Sequence, residues 1–275
     1  MRKLPGAAST LVTFAIAMIA AAPAGAADMA VPPYQPPPPV PIVWSWTGAT
    51  IGIHGGGAWG NKDWDLTSVQ VGGLSTTAFN STGAHTVNGF VGGGQFGANY
   101  QTGHVVVGLE ASFSWGGVKG HGDCFPALFP GTPSTCESNA RWLGTLAGRI
   151  GGTIDRALLY VTGGAAFAGD EYTFSNANSL GGGGAAIVAP VTVKDARLGW
   201  MVGAGAEYAF SSNWSAKIEY NYLDFGTRHY QFFSPTTAGL ALSSAYDVDI
   251  TQRVHLVKIG LNYRFTLGGP VVAKY

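Results

Sequence analysis

The chain is short of charge. Asp, Glu, Lys and Arg together make up 11% of its 275 residues, against about 25% in an ordinary soluble domain. Basic and acidic residues balance at 15 each, and the Lys and Arg residues do not cluster, which argues against a nucleic-acid partner. Long apolar runs are missing beyond about residue 22, although 46% of the residues are hydrophobic. That excludes a helical membrane protein, because a spanning helix needs about 20 consecutive apolar residues. Cysteine is nearly absent: Cys124 and Cys136 stand alone, twelve positions apart in one Gly/Pro-rich segment. No hydrolase elbow, H-E-x-x-H pair or phosphate loop occurs, and the runs Gly92–Gly94 and Gly181–Gly184 lack the strand-then-helix setting of a nucleotide fingerprint. The sequence therefore offers no catalytic residue, no cofactor site and no metal site, and it does not read as an enzyme.

What is present begins with an export signal. Arg2 and Lys3 precede an apolar stretch from Leu11 to Ala22, and Ala24-Gly25-Ala26 fits the small-x-small cleavage rule. Cleavage between Ala26 and Ala27 leaves a mature chain in which removal of Arg2 and Lys3 reduces the 15 basic residues to 13 against 15 acidic, a net charge of −2. Residues 27–45 are Pro-rich, with Pro36 to Pro39 consecutive, and form an extended periplasmic linker that cannot join a sheet. An exported chain meets an oxidising compartment, so a Cys124–Cys136 disulfide is expected rather than free thiols or a metal site.

Residues 46–265 repeat one theme, an alternating segment followed by a turn. Candidate strands are 46–59, 88–101, 105–115, 140–154, 157–168, 196–210, 214–225 and 251–265. Short turns at Thr102-Gly103-His104, Asp155-Arg156 and Ser211-Ser212-Asn213 alternate with long segments at about 60–87, 116–139, 169–195 and 226–250. This is the pattern of an all-β, eight-stranded antiparallel transmembrane β-barrel with short periplasmic turns and long extracellular loops. Residues 266–275 form a C-terminal tail.

Alternation by itself does not say which face is inside; a soluble carrier barrel would bury the apolar one. Here the apolar faces end in aromatics suited to a membrane girdle: Trp46, Trp59, Tyr100, Trp115, Trp142, Phe210, Trp214, Tyr263 and Phe265. The opposite faces are rich in Gly, with a few large charges. An eight-stranded lumen is only wide enough for side chains to fill. Glu110, Arg149, Arg197, Glu207, Lys217, Glu219, Lys258 and Arg264 are thus expected to line the lumen with His54, Gln95, Asn99, Tyr160, Thr162 and Asn262. Charges buried there must pair, so a salt-bridged plug is expected, with a selective pore as the alternative. His121, His229, Tyr230, Phe232 and Phe233, read as loop residues, are compatible with haem, although a loop histidine is usually just solvated.

The segments Trp46–Gly56, Gly92–Gln101, Glu219–Phe225 and Gly268–Tyr275, in that order after an Ala-Asp start, resemble the small outer-membrane β-barrel family of alphaproteobacteria, the porin-family or surface-antigen proteins. Lys258-x-Gly260-x-x-Tyr263-x-Phe265 is similar to the signal that outer-membrane proteins present to the barrel-assembly machinery, although here ten residues follow it. The resemblance implies the bacterial outer membrane and a role in envelope integrity or as a surface antigen, with a small porin-like diffusion channel as the alternative. The implied partners are outer-membrane lipid and lipopolysaccharide, the assembly machinery, and an extracellular ligand or host surface.

Overall fold

A computed structural model describes residues 44–71, 74–123, 134–178, 186–234 and 244–265. The expected signal peptide with Ala26 and Ala27, nearly all of the Pro-rich linker, Cys124, the 181–184 glycine run and the tail lie outside those residues. Eight strands follow in chain order: β1 Gly48–Val71, β2 Leu74–Thr102, β3 Val105–Asp123, β4 Ser134–Ile154, β5 Ala157–Asn178, β6 Ala186–Ala209, β7 Trp214–Ser234 and β8 Ser244–Phe265. Each pairs antiparallel with the next, and β8 closes on β1 through Ala49↔Phe265.

The stagger of this closed sheet can be read from its register. Stepping from Ile51 across hydrogen-bonded partners leads to Phe96, Ala111, Leu146, Ala165, Trp200, Asp224 and Arg253, and then returns to β1 at Asn61, ten residues on. With ordinary strand rise and spacing, that offset over eight strands tilts them about 40° and gives a backbone radius of about 8 Å. Such a tube has room for side chains and little else.

Tight turns set the lower rim. Gly103 and Asp155 take the left-handed conformation that short hairpins require. The Thr153 amide donates to the His104 carbonyl at 2.8 Å, and the Arg264 amide to the Asn213 carbonyl at 2.7 Å, so neighbouring turns are laced together.

The strand bodies face the way the sequence suggested. Ile51, Ile53, Phe96, Leu109, Leu146, Ile150, Ile218 and Ile259 are exposed, whereas the charged residues between them are buried. A band of outward apolar side chains is bounded below by Tyr100, Tyr208, Phe210, Trp214 and Phe265 and above by Trp59, Phe90, Trp115 and Trp200, all well exposed. Trp46 is a correction. It is 2% exposed and sits inside the periplasmic mouth with Val106, Leu158 and Ala209, edge-on to Trp44 at 5.7 Å, and so is no girdle residue.

The outer ends of the strands depart furthest from expectation. Residues 60–71 and 74–87, expected as loop, are strand, paired with each other as far as Val71↔Leu74 with one register shift between Leu66 and Ser68. The other three long segments also begin and end as strand. The ring does not stay closed there. Pairing of β2 with β3 ends at Asn88↔Lys119, and that of β6 with β7 at Trp200↔Asp224, among the described residues. Above those points β3 to β6 form one four-stranded sheet and β7, β8, β1 and β2 another. Each register shift in the ladders, such as Trp115/Val118, Ala140/Trp142 and Asp224/Thr227, falls at or above the upper aromatic ring. Bulges bend strands and increase twist, and here they mark where one ring becomes two facing sheets.

Candidate functional site in the barrel lumen

The inward face of β8 gives the layering of the lumen in a single line. Rising from the periplasmic end it reads Arg264, Asn262, Gly260, Lys258, Leu256, Val254, Gln252, Ile250 and Val248, alternating with outward neighbours. A polar floor, an apolar layer, a second polar layer and an apolar roof follow one another.

Six of the eight expected lumen charges meet in the floor. Arg149 donates from Nε to Asn99 Oδ1 at 2.8 Å, and from Nη1 to Glu207 Oε2 at 3.1 Å and Glu110 Oε2 at 3.4 Å. Lys217 donates to Glu110 Oε1 and lies 3.5 Å from Glu219 Oε2; Lys258 Nζ is 3.1 Å from Glu219 Oε1. Three cations thus face three carboxylates, with every side chain 10% exposed or less. Neutral donors fill the remaining acceptor positions: Tyr160 and Asn221 donate to Glu219, each at 2.7 Å, and Asn262 donates to Glu207 at 2.8 Å. A charge in a low-dielectric interior persists only when paired and hydrogen-bonded in this way. Glycine makes the room, since a Cβ on Gly205 would run into the Tyr160 ring. Beside the charges, His54 contacts Gln95 Oε1 at 3.1 Å and Ser114 Oγ at 2.7 Å.

The other two expected charges lie elsewhere. Arg264 is at the periplasmic mouth, donating to the Ser212 carbonyl at 2.9 Å with its guanidinium 4.0 Å from the Trp44 ring centroid. Arg197 is well above the floor, where it donates to the Ile250 carbonyl at 2.6 Å and Gln252 Oε1 at 3.1 Å. Between them Val91, Leu143, Ala147, Ala166, Met201, Leu223 and Leu256 form a buried apolar layer across the lumen. The layer is not legible in the sequence, where the inward faces read as glycine with a few large charges.

Above that layer a buried ion pair joins Lys62 Nζ to Asp170 Oδ1 at 2.9 Å, both side chains fully buried. Lys62 belongs to the 60–87 segment expected as loop, and is instead a β1 residue. Burial lowers its affinity for a proton, and Asp170 opposes that shift. Over the pair, Trp64, Tyr172, Phe174, Tyr230, Phe232, Tyr246 and Ile250 pack between the two outer sheets, with Trp64 stacked on Phe232 at 5.7 Å. Tyr230 and Phe232, expected in a loop and compatible with haem, are core residues of this cluster. Phe233 belongs to β7, where its backbone pairs with Ala245. His229 is exposed and pairs with Asp249 at 2.9 Å, and His121 is exposed on β3. Cys136 is buried in the same cluster; its expected partner Cys124 lies outside the described residues. In the segment expected to carry the assembly signal, Lys258 and Gly260 point inward, whereas Tyr263 and Phe265 stand on the outer face with rings 5.0 Å apart. Among the described residues, no group of three or more His, Cys, Asp or Glu could hold a metal ion.

A closed, tilted, eight-stranded sheet with an apolar band outside and paired charges inside is an outer-membrane β-barrel. Comparison with known proteins gives the particular family: residues 12–265 match the outer membrane protein beta-barrel domain family, to which the chain belongs. It is 34% identical over 272 residues to the 31 kDa outer-membrane immunogenic protein of Brucella melitensis biotype 1, covering 93% of this chain and 99% of that one. The 22 kDa outer membrane protein of Rhizobium leguminosarum bv. viciae is 27% identical over 177 residues, covering 63% of this chain and 66% of that one. Among solved structures, the outer membrane protein OprG from Pseudomonas aeruginosa aligns with a TM-score of 0.49 at 13% identity, over 82% of this chain and all of that one. The protein resides in the outer membrane.

Proposed function

We propose that the barrel has a closed lumen and serves the envelope as a structural and surface-presenting element, without conducting solutes or catalysing a reaction. The observation that carries this reading is the balanced network of three cations and three carboxylates lying directly beneath an apolar layer. An ion crossing the lumen would have to break paired charges and then pass through a layer offering it no ligand, and each step is costly. The extended hairpins above the membrane suit presentation to the outside, and the relatives' description as immunogenic agrees with that. On this reading the Lys258–Phe265 segment is what the barrel-assembly machinery engages, Cys124 and Cys136 form a disulfide at the outer end, and cleavage falls between Ala26 and Ala27. An extracellular ligand or host surface would meet the hairpins. Planar-bilayer recording with purified full-length protein tests the central claim. No stable conductance is expected, and steady ion-selective currents would establish a small diffusion channel instead.

A further inference from the structure

Two adjoining bulges shape the outer wall just above the membrane band. Between Trp115↔Trp142 and Val118↔Ala140 two residues of β3, Gly116-Gly117, stand against Arg141 of β4, and between Ala140↔Asp170 and Trp142↔Gly169 Arg141 is one residue more than β5 supplies. Arg141 is turned outward, its side chain 61% exposed. The neighbouring outward row, stepping across β3 to β6, is Lys119, Asn139, Glu171 and Lys194. Together these residues line a groove of about 910 Å³. Three outward cations there face one outward carboxylate, Glu171, which is 3.3 Å from Arg141. The other two acids in its lining are already engaged, Asp170 by buried Lys62 and Asp195 by Arg228 at 3.2 Å.

The floor of this groove is Trp115 and Trp142, and the same two rings cap a second groove of about 990 Å³ that descends the lipid-facing wall past Phe113, Phe96, Phe167 and Ile53. Trp142 stacks on Phe113 at 5.6 Å and lies across Gly169, where a Cβ would collide with the indole nitrogen. A basic cleft at headgroup height, continuous with an apolar furrow at acyl-chain height, has the polarity of an amphiphile with an anionic head. In the outer leaflet of this membrane that amphiphile is a phosphorylated glycolipid.

We propose that the cleft on β3 to β6 and the furrow that runs from it down the outer wall across β5 to β1 form a specific binding site for one lipopolysaccharide molecule, with a lipid A phosphate on Lys119, Arg141 and Lys194 and an acyl chain along the furrow below Trp115 and Trp142. The proposal gives the lipid partner a location. It rests on the outer-membrane setting and is independent of whether the lumen conducts. Arginine and lysine bind phosphate through charge-assisted hydrogen bonds, and each basic group near an anionic membrane surface is worth about fivefold in affinity.

The test titrates diphosphoryl lipid A into the full-length protein in nonionic detergent and counts bound lipid by native mass spectrometry. One tightly held lipid per barrel is expected. The K119Q/R141Q double variant should bind about 25-fold more weakly and K194Q about fivefold, whereas R253Q, an outward basic residue on β8, should bind as the parent does. Dephosphorylated lipid A should bind much more weakly, and excess inorganic phosphate should not displace the bound lipid. All four positions are exposed, and retention of the compact unboiled gel band verifies folding; were the double variant to lose it, K194Q alone supplies the comparison. Equal binding of phosphorylated and dephosphorylated lipid, or unchanged binding by folded variants, would overturn the site. Bilayer conductance of the same variants reports separately on the lumen.

Discussion

The half of the barrel inside the membrane and the half above it are built from the same strands with opposite polarity. On β1, Ile51 and Ile53 face out while Thr50 and His54 are buried; ten residues later Asn61 is exposed, whereas Lys62, Trp64 and Leu66 are buried. Below the upper aromatic ring the surroundings are apolar, so hydrophobic side chains gain nothing by turning inward and the polar groups must satisfy one another in the lumen. Above the ring the surroundings are aqueous and the hydrophobic effect returns. There the closed ring opens into two four-stranded sheets that bury an aromatic core between them, as a β-sandwich does. What holds a strand in place thus changes along its own length: paired charge at one level, apolar packing at the next.

That contrast can be broken at several points. Replacing Glu219 by Ala removes the acceptor shared by Lys217, Lys258, Tyr160 and Asn221. Leaving buried charges unpaired should cost about 3–5 kcal/mol, read as a marked drop in the temperature at which the unboiled band loses its fast mobility. A Glu219→Ala barrel with unchanged heat modifiability would show that the floor is not held by charge. Above the ring, Trp64→Ala deletes a fully buried ring and should cost about 3–5 kcal/mol. Its damage should be confined to the outer half, exposing the β1–β2 and β7–β8 hairpins to external protease while the membrane band remains protected. Loss of the compact band as well would mean that the two halves are one cooperative unit.

Acidification should separate the halves with a smaller effect. His85, buried above the ring beside Trp64, has its pKa lowered to about 4 by burial first, then by Lys62 and His121, with Asp63 opposing. The unfolded histidine binds its proton near pH 6.5, so the folded form is favoured above that value, and this contribution is lost as pH falls from about 6.5 to about 4. Protease resistance of the outer hairpins should decline over that window in the parent and less in His85→Gln; parallel profiles would remove His85 from the account. The smallest effect is expected from Arg253→Ala. That side chain is 56% exposed and only 3.6 Å from Asp224; loss of such a surface pair should cost about 1 kcal/mol or less.

The two halves also differ in how far they could be read in advance. The lower ends of the strands fall at Thr102, Val105, Ile154, Ala157, Ala209 and Trp214, within a residue or so of the expected boundaries, because Gly103, Asp155 and the Ser211–Asn213 bend carry local turn chemistry. The upper ends lie higher than expected by as many as fourteen residues, at β2, which begins at Leu74 rather than at 88. In that region polar and apolar residues exchange faces, Gly, Ser and Thr are frequent, and bulges interrupt the period, so a strand leaving the membrane resembles a loop. Within the lumen, Glu110, Arg149, Glu207, Lys217, Glu219 and Lys258 could be placed by alternation alone. Leu143, Met201 and Leu256 could not, since an apolar residue on the inward face looks like an exception until its neighbours around the ring are known.

Period-two alternation, turn chemistry and scarcity of charge can be read along the chain, and by themselves they determined the strand number, the antiparallel order and the inward face of the six floor charges. Only the tertiary structure decided which charges meet, that an apolar layer lies over them, and that the ring divides into two sheets above the membrane. Those outcomes depend on a ten-residue stagger that brings residues distant in sequence to one height. Stagger is a property of the closed ring, and no single strand encodes it.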